Sequence, residues 1–91
     1  MAVKSTAVTV GTTPTALPTT PLKGRIRVLV GNGGSVAVFV GDASVTTSTG
    51  VPVAAGATVP FEFGYAERTD DNVLYGVVAT GTQDVEVLEI A

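Results

Sequence analysis

The sequence predicts an all-β protein: a small antiparallel β-sandwich or compact barrel with an extended N-terminal arm. Three observations carry this. Short runs rich in valine, isoleucine and phenylalanine alternate in parity, as strands with one buried face do. Clusters of Gly, Pro, Asn, Asp and Thr separate those runs at short intervals. No window of helical length places apolar residues at helical spacing. A chain of 91 residues forms one domain, and without cysteine it has no disulfide to staple it. Hydrophobic residues make up 45% and charged residues 14%. That is apolar for so small an interior, and it places some of the apolar surface in an interface.

Taken in order, residues 1–22 form a Thr-rich segment with Pro14, Pro18 and Pro21. Proline excludes a continuous helix there. Ala7–Val10 can pair as a strand, and the segment is either a lead-in strand or an arm reaching a neighbour, with residues 23–91 as the sandwich body. Arg25–Val30 and Ser35–Val40 flank Gly31-Asn32-Gly33-Gly34, which reads as a hairpin turning at Asn32-Gly33. One face of that hairpin is core. The other sets Arg25, Arg27 and Leu29 beside three valines, either as arginine stems covering apolar surface or as an intersubunit contact. Val51-Pro52-Val53 follows a polar stretch, Ala54–Ala57 is a turn, and Val59–Phe63 is a strand whose Pro60 suggests an edge. Val73–Thr80 and Asp84–Ile90 read as a second hairpin turning at Gly81-Thr82. In its closing strand Val85 and Val87 give way to Leu88 and Ile90 on the opposite parity. Either a bulge lies near Val87 or both sides of the strand end are buried.

The residues offer little chemistry. Without histidine or cysteine, the commonest general base, thiol nucleophiles and most transition-metal ligands are missing. No enzyme, metal or cofactor is expected. Asp70-Asp71-Asn72 is the only dense oxygen cluster, and it lacks the alternating spacing of a calcium loop. Asp42 beside Gly41 reads as a turn former. Tyr65 and Tyr75 could contribute to a sugar-stacking platform. The net charge of −3 argues against nucleic acid. The charge is uneven: Lys4, Lys23, Arg25 and Arg27 make residues 1–27 basic, and the remainder is acidic. No apolar run is long enough for a membrane span, and the start lacks the apolar core of a signal peptide. A binding module made in the cytoplasm is expected. Its candidate interface is Val8, Val10, Leu17, Leu22, Lys23, Arg25 and Arg27.

The stretch Val38-Phe-Val-Gly-Asp-Ala-Ser-Val-Thr-Thr-Ser-Thr-Gly-Val-Pro-Val-Ala-Ala-Gly56 resembles small structural proteins of tailed bacteriophages. A looser similarity runs from about Val8 to Ile90. The resemblance brings no catalytic residues. It implies a virion component synthesised in the host cytoplasm: a capsid decoration (cement) protein on the shell, or a tail, baseplate or head-fibre protein. The implied partners are the major capsid protein or other virion proteins, with self-association as a homo-oligomer. A trimer would match a lattice axis. A cement protein spanning adjacent subunits binds only when they are correctly spaced, and so stabilises the expanded shell. A carbohydrate-binding β-sandwich is the reading from another class.

Overall fold

A strand with one apolar face must bury it against another layer, and eight such strands supply two layers. The computed structural model describes residues 2–63 and 73–91. Among them the strands are β1 (Val3–Val10), β2 (Thr15–Leu17), β3 (Arg27–Gly31), β4 (Val38–Gly41), β5 (Val51–Val53), β6 (Thr58–Glu62), β7 (Leu74–Val77) and β8 (Gln83–Ile90). They form two antiparallel four-stranded sheets, ordered β1-β8-β3-β6 (sheet A) and β2-β7-β4-β5 (sheet B). The described residues contain no helix. The protein is an all-β sandwich, as its alternation predicts. Residues 1–22 give one strand to each sheet.

The two hairpins expected from the turn signals are not formed. β3 lies in sheet A between β8 and β6, while β4 lies in sheet B between β7 and β5. Gly31–Gly34 therefore begins an arch from one sheet to the other, and the facing pairs that a turn at Asn32-Gly33 would set, Ile26 with Phe39 and Val28 with Ala37, are not formed. The reason lies in Asn32. Its side chain, buried in the arch, donates from Nδ2 to the carbonyls of Val36 (2.7 Å) and Val53 (3.0 Å), and its Oδ1 accepts the Gly34 N–H. The residue acts as a bracket between sheets, without the positive φ angles of a two-residue turn. Among the described residues only Gly24, Gly56 and Gly81 have positive φ. The segment 78–82 is likewise an arch, since β7 belongs to sheet B and β8 to sheet A.

The core is built almost wholly of valine. Val28 and Val30 of β3, Val85 and Val87 of β8, Val10 of β1, Val38 and Val40 of β4, and Val53 of β5 meet between the sheets. Leu17 of β2 joins them. β-branched side chains fit a pleated face and have little rotamer freedom to lose. Pro60 lies in β6, an outer strand of sheet A, where a missing donor is tolerated. β8 pairs without interruption with β1 on one side and β3 on the other, so no bulge interrupts it. The parity switch is instead a strand end with Leu88 and Ile90 half-buried on the outer side.

Part of the outer side of sheet B, around Gly41 and Phe39, is covered by the chain itself. After β4, residues 42–50 fold back over the strand they leave. Asp42 Oδ1 accepts the Ser44 N–H at 3.0 Å, and Thr46 and Thr49 exchange backbone and hydroxyl bonds that close the loop. These bonds hold Val45, only 3% exposed, over Gly41. Gly50 packs so closely that a Cβ there would lie 2.7 Å from Phe39 Cβ and 2.9 Å from Val45 Cγ2. Gly50→Ala is accordingly expected to lift this lid at a cost of about 1–3 kcal/mol, read as a lower urea midpoint at unchanged m-value. An unaltered midpoint would show that the lid has room to give.

Candidate interaction surface

The outer face of sheet A has a shallow groove across its central strands. Register and parity fix which residues it carries. One row runs Ser5, Leu88, Leu29, Pro60 across β1, β8, β3 and β6; the next on one side runs Val3, Ile90, Arg27, Glu62, and on the other Ala7, Glu86, Gly31, Thr58. Leu88 and Leu29 stand side by side on the two central strands, flanked by Pro60 and Ile90. Val3, 61% exposed, extends the apolar strip to the margin.

Gly31 leaves a hollow in this face. Lacking a side chain between Glu86 and Thr58, it opens a shallow groove of about 470 Å³ lined by Ser5, Ala7, Leu29, Thr58, Glu86 and Leu88. The Gly31 Cβ position lies 3.4 Å from Thr58 Oγ1. The groove is apolar along its leucine side and has one carboxylate, Glu86, at its rim. Arg27 and Glu62 form an exposed ion pair at 3.7 Å on the neighbouring row, which fixes orientation more than it adds affinity. Such a face can bind an apolar protein surface.

The seven residues proposed from sequence do not gather on one surface. Val10 and Leu17 are fully buried in the protein's own core, and Val8 packs against that core. They are core residues because residues 1–22 supply strands to both sheets. Arg25 is also buried, at 2% exposure, and leaves the arginine face assigned to it. Its Nη1 donates to Glu89 Oε2 at 2.9 Å and to the Leu17 carbonyl at 3.2 Å, and its guanidinium lies over the Phe63 ring at 5.4 Å. Leu22 is half-buried, and its N–H donates to the same Glu89 oxygen at 2.7 Å. Lys23 and Arg27 are exposed.

Glu89 and Leu88 were missed together, and one signal connects them. The inward parity of Val85 and Val87 continues to Glu89, which is 0% exposed, so the outward side falls to Leu88 and Ile90. An apolar pair on the solvent parity around a charged residue on the core parity marks both a buried ion pair and an exposed apolar face. Tyr75 is half-buried on β7 between Ala16 and Gly41. Tyr65 and Asp70-Asp71-Asn72 lie outside the described residues. Among the described residues, no three carboxylates cluster in a way that could hold a metal ion.

The fold and this face define a two-sheet β-sandwich with a lid over part of sheet B and a grooved apolar row on sheet A. No protein-family model, curated protein or solved structure matches the chain.

Proposed function

We propose that this chain is a structural protein of a tailed-bacteriophage virion, a capsid decoration protein that docks the outer face of sheet A on the shell and bridges major capsid subunits. The observation that carries the binding role is the centre of sheet A's outer face: Leu29 and Leu88, each half-buried, stand side by side on the two central strands and line a shallow groove. A polar protein surface has no need of two leucines on adjacent central strands, whereas an interface core does. The phage setting rests on the resemblance in residues 38–56, which correspond to β4, the lid and β5. A rigid sandwich suits the role, since a clamp that deforms cannot discriminate correctly spaced subunits from misplaced ones.

The test is to quantify the chain in purified virions and to release it. A copy number comparable to that of the major capsid protein, with shells less resistant to heat or pressure after its removal, supports shell decoration. A few copies per particle would move it to the tail, baseplate or head fibre, and absence from the particle would overturn the virion reading. Leu29→Lys with Leu88→Glu is expected to weaken attachment at least about tenfold, as loss of a central apolar contact does. Because the two positions lie opposite each other on the outer side, lysine and glutamate pair there, and the fold should be kept. Full attachment of the folded double variant would show that this face is not the docking surface.

A further inference from the structure

Each sheet has two edges, and proline guards three of the four. β6 contains Pro60, β5 contains Pro52, and β2 is three residues long between Pro14 and Pro18. The remaining edge is β1, eight residues without proline and with Lys4 as its single charge. Proteins commonly blunt such an edge, because its unpaired backbone groups invite another strand. Among the described residues, no backbone bond closes it.

The hydrogen-bond phase shows which groups face out. Ala2 and Ala91 exchange both backbone bonds, at 3.0 and 2.9 Å. Alternation along the antiparallel ladder then makes Lys4, Thr6 and Val8 the residues bonded to β8, and it turns the N–H and C=O of Val3, Ser5, Ala7 and Thr9 toward the free edge. The core side of the same strand carries a second sign. Thr6 Oγ1 is buried and has no hydrogen-bond partner.

We propose that β1 pairs antiparallel with β1 of a second copy of this chain, about a twofold axis at Thr6, joining the two A sheets into one. The register follows from three requirements. Facing residues must share a side, so their numbers add to an even sum. All outward backbone groups should be met without overhang. Thr6 should gain a partner. Centring the axis on Thr6 meets all three: Val3 faces Thr9 of the second copy, Ser5 faces its Ala7, and the outward groups of all four residues are bonded. Thr6 faces its own twin at a non-hydrogen-bonded site, where side chains approach most closely and two threonine hydroxyls can bond each other. Lys4 falls opposite Val8, so like charges do not meet. Centring on Ala7 instead would push Val3 onto Gly11 and leave Thr6 opposite Val8. A threefold ring would need a second, different open edge, and the other three edges are the proline-guarded ones. The pairing does not depend on the virion role.

The test is designed to read the register as well as the mass. Light scattering after size exclusion, over a range of concentrations, is expected to give twice the 9.1 kDa chain mass. Hydrogen exchange should then find the Val3, Ser5, Ala7 and Thr9 amides protected. Ser5→Lys with Ala7→Lys sets lysine against lysine across the axis on solvent-facing positions, and should weaken dimerisation about tenfold or more. Ser5→Lys with Ala7→Glu sets lysine against glutamate and should restore it. Ala7→Pro removes a donor that the protein's own sheet does not use, and should give a folded monomer. A monomer or trimer for the unmodified chain, free exchange of those four amides in the dimer, or a dimer indifferent to the charge pairs would overturn the proposal.

Discussion

Arg25→Met is expected to cost about 3–5 kcal/mol, the usual penalty for leaving one member of a buried ion pair unpaired. For a domain of this size that is a large part of the whole stability. Glu89 is fully enclosed, and its Oε2 receives both the Arg25 guanidinium and the Leu22 N–H. Its Oε1 has no partner. Removing the guanidinium leaves a charge in the interior with one amide for compensation. It also removes the Leu17 carbonyl contact and the cation over Phe63. Arg25→Met combined with Glu89→Gln should recover most of the loss, because the amide oxygen still accepts from Leu22 and no charge remains. Urea unfolding of wild type, both single variants and the double variant gives the coupling energy. Equal losses for Arg25→Met and the double variant would mean that the carboxylate charge is not what makes the arginine necessary.

Leu17→Ala is expected to cost about 2–5 kcal/mol, toward the upper part of that range. Leu17 is the one buried hydrophobic among the described residues that is not valine. Its Cδ1 converges with Val38 Cγ1 and Val10 Cγ2 on Gly76, where a Cβ would lie 3.2, 3.3 and 3.4 Å from them. Stiff valines cannot swing into the space left by the lost methyls, so the cavity stays open. The check is a melting curve read beside that of Val30→Ala, which deletes less volume. A smaller loss for Leu17→Ala would show that the Gly76 site collapses to fill the gap.

Strand positions, parity and the edge placement of Pro60 were legible in the sequence, because burial on one face writes itself as alternation. Pairing was not. A valine strand, a glycine-rich turn with Asn-Gly and a second valine strand describe a hairpin and an inter-sheet arch equally well. What separates them is Asn32 reaching the carbonyls of Val36 and Val53, and the second of those contacts is non-local. The interface assignment failed for a related reason. Arg25 looks like a surface residue until Glu89, 64 positions away, is known to face it. Val10 and Leu17 look like a sticky arm only while residues 1–22 are taken apart from the sheets. The open face of sheet A was half legible. Leu29 stood on the correct mixed face, but its companion Leu88 was hidden in an apparent irregularity of β8.

The place of β8 has a consequence for how the chain acquires its shape. It is the last strand in order, yet it lies inside sheet A, between β1 and β3. Until it arrives, β1 has no partner among the described strands, and β3 is paired on one side alone. Neither Gly-rich connection supplies a local nucleus, since both join opposite sheets. Apart from the β4–β5 hairpin, pairing must then wait on contacts between distant parts of the chain, a topology that folds slowly for its size. A chain interrupted before residue 83 would lack the middle of sheet A, rather than one of its borders. Closure of sheet A is a single step, made by the last of the described strands.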